Sequence, residues 1–443
     1  RGRGVALILA HGIGGRADLP IPMWLALYTG AGAVLIAFFA VSVLRPRPRP
    51  RSASAGVSLP GVVRKAADAR GFRLALRACG LAGFGLLLAT AWLGVDDPAA
   101  NPAPAWFYVW FWVGLIPAAL LFGPIWRLVN PLRSLSALAR RCLPKALRRD
   151  GPPERLGHLP APAGMVAFLW LELASPHPGS PRAVALFVTV YAVAHTVGGA
   201  VYGPRWFDRA DTFEVYSGLL ATLAPLGRDP GGRLVLRTPA AGLRAGRADA
   251  GHTALALVVL GGTMYDGLSR LSLWIDLTRA VGRPAATLLG TAALGLVIAL
   301  NFLAYRDALR LTRPCLRPSA TAPDHQFTHS LVPLMVGYGV AHYFSFAVFE
   351  GQRGWLLATD PFGRGWDLLG VGGAGVDYTV LAPSLIVVVQ IAAIVLGHIA
   401  GVVSAHDRAL AVVRPGDLRT GQYPMLTLMV VYTGIGITLM SAG

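Results

Sequence analysis

The sequence predicts an all-α fold, a polytopic integral membrane helical bundle of about ten transmembrane helices. Both termini are expected outside, with one further helix that is interfacial or re-entrant. Three observations predict this. Apolar residues make up 54% of the 443 and charged residues only 14%, against about a quarter charged in ordinary globular domains. The mean hydropathy is +0.54. The net charge of +18 is carried almost entirely by Arg, with Lys only at positions 65 and 145, and most of it lies between long apolar runs.

Crossing the hydrocarbon core takes about 20 mostly apolar residues. Such runs occupy 21–44, 74–95, 106–126, 160–175, 183–203, 252–270, 285–305, 326–350, 379–404 and 424–441. The fourth is the shortest. Residues 211–227 (DTFEVYSGLLATLAPLG) are too few and too mixed to span, and they form the interfacial or re-entrant helix. The first ten residues, RGRGVALILA, have the form of a signal-peptide tail: basic, then apolar, then Ala10. Cleavage there leaves residues 11–443 as one membrane-embedded domain. It also makes His11 an N-terminal amine-plus-imidazole chelate for Cu(II) or a similar ion.

Loop charge tests the span count. Loops 45–73, 127–158, 204–251, 306–325 and 405–423 carry 8, 8, 7, 4 and 3 Lys/Arg, together 30 of the 40. The alternate loop 96–105 has none. By the positive-inside rule the basic loops are cytoplasmic. The charge is therefore topological and does not indicate nucleic-acid binding. The Arg/Pro stretch 45–56 reads as an extended, solvated linker, and 228–251 reads similarly. No loop is long enough for a soluble catalytic domain, so any chemistry sits in or at the membrane.

Familiar motifs do not account for the chain. Cys79, Cys142 and Cys315 form no CxxC pair and have no zinc-type spacing. Gly370, Gly372 and Gly375 match G-x-G-x-x-G without the strand and helix a dinucleotide site needs. There is no P-loop, HExxH or G-x-S-x-G.

Ionisable residues inside apolar runs carry the functional signal, because each costs roughly 2.5–3.5 kcal/mol at the bilayer centre on insertion scales. They are Glu172, His195, Asp266, His329, His342, Glu350 and His398. Tyr191-Ala-Val-Ala-His195 resembles Tyr338-Gly-Val-Ala-His342, on helices expected to run in opposite directions, a pattern consistent with an inverted repeat. His325 and His329 share one helix face, a spacing that can hold one metal. Two clusters are expected. One is inner (His325, His329, His398, His406) and one is central-to-outer (His195, Asp266, His342, Glu350). The alternative is that each group bonds a neighbouring hydroxyl or carbonyl and serves packing; for Asp266 it is an i,i+4 pair with Arg270.

Five strings carry a resemblance: AHGIGGRADLPIP (10–22), PIWRLVNPLRSL (124–135), TMYDGLSRLSLW (263–274), HSLVPLMVGYGVAHYFSF (329–346) and GHIAGVVSAHDRAL (397–410). They resemble a family of polytopic bacterial membrane proteins, frequent in actinobacteria, described as fenitrothion hydrolase-like. The resemblance implies a multi-pass protein of the bacterial plasma membrane that cleaves an apolar phosphotriester-type ester. It brings no assigned catalytic residues.

Two functions follow as expectations. In the first, the chain is a hydrolase with one or two divalent transition-metal ions (Zn, Cu or Fe). The seven histidines 11, 195, 325, 329, 342, 398 and 406 supply ligands, and Asp266 and Glu350 act as ligands or bases. In the second, it is a transporter of a transition metal, or of protons with a solute, built on midplane histidines. A packing or assembly role is the third reading. The expected partners are the lipid bilayer and an apolar small molecule or ion.

Overall fold

The protein, in a computed structural model, is described over residues 22–44, 56–245, 248–320 and 325–441. The expected signal remnant 1–10, His11 and linker residues 45–55 lie outside the described residues. Twelve helices organise the rest: α1 Met23–Leu44, α2 Arg70–Leu93, α3 Ala103–Phe122, α4 Pro131–Cys142, α5 Pro160–Leu173, α6 Pro181–Tyr202, α7 Thr212–Leu220, α8 Ala250–Ser269, α9 Arg283–Thr312, α10 Thr328–Leu357, α11 Pro383–Val412 and α12 Tyr423–Ser441. Among the described residues, eight helices are long and apolar enough to cross a membrane: α1, α2, α3, α6, α9, α10, α11 and α12.

Local signals set the helix ends. Proline opens α4, α5, α6 and α11, where its missing N–H costs nothing. Ser180 caps α6 by accepting the Ala183 N–H. Gly203 ends the same helix at φ 74°, a conformation that strains any other residue. Leu186, Val190, Val193 and Val197 form one face of α6, each more than half exposed. An apolar stripe of that kind belongs against lipid.

The two segments outside that set of eight are both helical. The expected crossing 160–175 is α5, 14 residues long. At 1.5 Å per residue it reaches only about 21 Å, short of a core about 30 Å thick. The expected crossing 252–270 is α8. Its residues Leu255 to Gly267 are buried without a break, and α5, α9, α10 and α12 surround it. It is the axis of the bundle.

The five basic loops meet at one end. Short strands β1 Val57–Ser58, β2 Leu226–Arg228 and β3 Leu234–Leu236 make an antiparallel sheet in the order β1-β3-β2, joining the first basic loop to the third. Arg140 donates to the Ala200 and Val201 carbonyls at 2.7 Å. Arg244 lies 3.6 Å from Asp407. Leu316 bridges to Val413. Segment 228–251 is therefore not an extended linker, since it contains β3 and the helix Pro239–Ala245. Nor does α7 lie on a surface. Its residues from Thr212 to Ser217 are all buried.

Helices α10 and α11 approach closely because three side chains are missing between them. A Cβ on Gly337 would stand 2.5 Å from the Ala393 carbonyl oxygen. One on Gly397 would meet the Pro333 carbonyl at 2.8 Å, and one on Gly401 the Ser330 carbonyl at 2.9 Å. Small residues at spacings of four let backbones pack where no hydrophobic effect between helices is available. Gly337→Val is expected to cost about 1–3 kcal/mol by overpacking. Thermal melting in detergent, followed by size-exclusion chromatography, reads this. An unchanged melting point would mean that the two helices do not depend on this contact.

Candidate functional site

The basic end holds a cavity of about 580 Å³ at the N-terminal ends of α8 and α10. Its wall includes Arg127, Asp208, Glu214, His252, His325, His329 and Arg408, with Leu219, Leu243 and Val332 as apolar surface.

One wall is built by a buried polar network around α7. Asn130 caps α4 by accepting the Leu132 N–H, and its amide donates to Asp211 at 2.9 Å and Glu214 at 3.2 Å. Asp211 caps α7 by accepting the Glu214 N–H at 3.0 Å, and it also accepts from the Tyr191 hydroxyl at 3.0 Å. Arg133 donates to Glu214 at 2.8 Å and to Asp208 at 2.6 Å. Asp208 also pairs with Arg127 at 3.2 Å. The carboxylates facing the cavity thus have cationic partners, as buried charges require.

The opposite wall is the start of α8. Asp249 caps that helix, accepting the His252 N–H at 3.1 Å. The Asp249 carboxylate also takes two imidazoles, His252 Nδ1 at 2.8 Å and His158 Nδ1 at 2.6 Å. The two rings lie 3.9 Å apart, centre to centre. Glycine makes room for this, because a Cβ on Gly251 would stand 2.3 Å from the His158 carbonyl carbon. Gly157, at φ 46°, turns the chain just before His158. Burial opposes ionisation of Asp249, but hydrogen bonds from His158 and His252 outweigh it and hold the carboxyl well below the usual carboxylate range. Alongside, Thr253 Oγ1 lies 3.0 Å from His325 Nδ1 and 2.6 Å from the Thr328 hydroxyl.

A second polar station lies at the far end of α8. His342 Nδ1 is 3.1 Å from Asp266 Oδ2, and Arg270 donates to the same oxygen at 2.8 Å. The Tyr343 hydroxyl donates to Glu172 at 3.3 Å. Asp266, His342 and Glu172 are each no more than 3% exposed. Three helices, α5, α8 and α10, meet there.

The expected clusters assemble only in part. His325 and His329 share the cavity with His252. Asp266 and His342 meet. The others are apart. His195 Nδ1 accepts from Trp206 at 3.1 Å. His398 donates to its own helix at the Ile394 carbonyl, 2.8 Å. His406 contacts Gln422 at 2.8 Å. Glu350 accepts from Arg353 one turn on, at 2.7 Å. The paired strings around His195 and His342 likewise have different partners, since Tyr191 bonds Asp211 and Tyr338 bonds the Tyr432 carbonyl. Among the described residues, one group of three or more His, Cys, Asp or Glu has donor atoms all within 4.8 Å of one another, and it is His158, Asp249 and His252. None of the three lies within the body of an apolar run: His158 and Asp249 fall in basic loops and His252 opens the run 252–270. The signal was Asp249-Ala-Gly-His252, a carboxylate and an imidazole three apart where a helix starts.

Comparison of the chain with protein-family models, with curated proteins and with solved structures finds no match.

A carboxyl with a depressed folded pKa adds stability above its unfolded pKa, near 3.9 for Asp. That contribution disappears as pH falls toward the folded value. Asp249→Ala is therefore expected to lose about 1 kcal/mol at neutral pH, the usual worth of a cap. The gap from wild type is expected to narrow below about pH 4. Thermal melts across pH measure both, and coincident neutral-pH curves would refute a stabilising role.

Proposed function

We propose that this chain is a membrane hydrolase whose chamber is the basic-end cavity, acting on a neutral, largely apolar phosphotriester-type ester. The observation that carries the reading is the make-up of the cavity lining. Arg127 and Arg408, the imidazoles of His252, His325 and His329, and apolar Leu219, Leu243 and Val332 all line a cavity of about 580 Å³. A volume of that order suits a drug-sized ligand with few polar groups. The resemblance to fenitrothion hydrolase-like proteins points the same way, and the alternation of basic loops fits a multi-pass protein of a bacterial plasma membrane with both termini outside, in which α5 is a short crossing and the enclosed α8 another.

Water adds its oxygen to phosphorus, the bond from phosphorus to the leaving oxygen breaks, and the proton lost by water ends on that oxygen. The products are a phosphodiester and an alcohol or phenol. An imidazole on the wall takes the proton and returns it. A guanidinium steadies the charge that grows on the phosphoryl oxygen. Purified protein is expected to turn over a chromogenic aryl dialkyl phosphate. Replacing His325 or His329 by Ala is expected to lower kcat by about 100-fold or more. No turnover by the wild type, or full turnover by both variants, would end this reading.

The far end of α8 favours a second reading, proton-coupled transport. Asp266, with His342 and Arg270 against it, lies 14 residues from His252 along one buried helix, a rise of roughly 21 Å. Intramembrane carboxylate and imidazole groups in contact are the usual material of proton relays. Proteoliposomes loaded with a pH dye and given a panel of small solutes are expected to acidify or alkalinise with solute entry, and Asp266→Asn is expected to uncouple them. An absence of proton movement with every solute would dispose of it.

A further inference from the structure

Two side chains at the start of α8 and one just before α5 form a cluster that ester hydrolysis by the cavity lining does not require as a set. We propose that His158, Asp249 and His252 form a divalent transition-metal site on the rim of the basic-end cavity, of the zinc class, with one position open to water.

Geometry is the first support. One donor atom from each residue lies within 4.8 Å of the others. A tetrahedral ion with bonds of about 2.0–2.2 Å separates its ligands by about 3.3–3.6 Å, so small side-chain rotations suffice. The site is also held in place from two distant stretches of chain. His252 and Asp249 belong to the first turn of the central helix, and His158 is brought there by the turn at Gly157 and by its backbone pressed on Gly251.

Donor chemistry is the second. Two imidazoles and one carboxylate suit Zn(II), Co(II) or Ni(II). Ca(II) and Mg(II) prefer sets made wholly of oxygen. Three protein ligands leave the fourth position of a tetrahedron for solvent, as in catalytic rather than structural zinc sites. That open position is next to the cavity, because His252 belongs to both. Without the ion, Asp249 bridges the two rings through their Nδ1 atoms. Coordination at Nδ1 moves each ring proton to Nε2, and any proton held by an imidazolium goes to solvent. Binding therefore releases protons, and affinity rises with pH.

This inference does not rest on the hydrolase reading. Metal binding without ester turnover leaves it intact, and turnover without metal binding refutes it alone. The test is equilibrium binding of Co(II) and Zn(II) to the full chain, free of any affinity tag, in detergent. The readouts are metal content after dialysis and the visible spectrum of bound Co(II). Wild type is expected to hold one ion in this site, with a tetrahedral Co(II) spectrum. His158→Ala and Asp249→Asn are expected to weaken binding more than about tenfold. Asn still caps the helix, so Asp249→Asn tests the ligand without unseating α8. His177→Ala, an exposed histidine in the loop between α5 and α6, is expected to bind as wild type. No stoichiometric metal in the wild type, or equal binding by all three variants, would overturn the proposal.

Discussion

The two polar stations of this bundle depend on one helix whose middle is enclosed by protein. α8 buries every residue from Leu255 to Gly267. A helix in that position faces no lipid, so charged groups at its ends cost less than they would on a lipid-facing surface. The cost is lowered further by supplying partners from other helices. At one end Asp249 meets His158 and His252. At the other Asp266 meets Arg270 and His342. Between them the helix is almost entirely apolar, and the two stations are kept apart.

The neighbours of α8 are shaped by the same requirement. α7 sits inside the protein, where a short helix would leave its terminal N–H groups without water. Asp211 caps it and, with Glu214, is joined to Asn130, Arg133 and Tyr191. That network fixes one cavity wall while α8 fixes the other. Arginine suits this role, since its planar fork engages two carboxylates at once and stays charged. The cavity is thus a gap between two independently anchored polar structures at the end where the basic loops converge.

The histidines show why membrane depth alone is an incomplete guide to function. His195, His398 and His406 all lie on apolar helices, and each has a contact of its own through Nδ1, with Trp206, the Ile394 carbonyl and Gln422. An imidazole is cheap to bury when neutral, so a local partner is enough to keep it there. His158 lies in a basic loop and His252 is the first residue of an apolar run, places where a polar residue needs no special explanation.

Much of the architecture was already legible in the chain. Helix class, apolar spans and the gathering of basic loops at one end follow from hydropathy and from the spacing of Arg, properties that each segment carries regardless of its neighbours. The i,i+4 pairing of Asp266 with Arg270 was legible for the same reason. Which apolar helix faces lipid and which is enclosed was not, because a lipid tail and a leucine side chain are nearly equivalent surroundings. Mean hydropathy sets α8 below α6, but it does not say which helices pack around α8. The meeting of His158 with residues 249 and 252 was equally hidden, since it joins positions some 90 apart in the chain through a close backbone approach at Gly251. Contacts between distant segments depend on how whole helices pack, and only the assembled bundle specifies that.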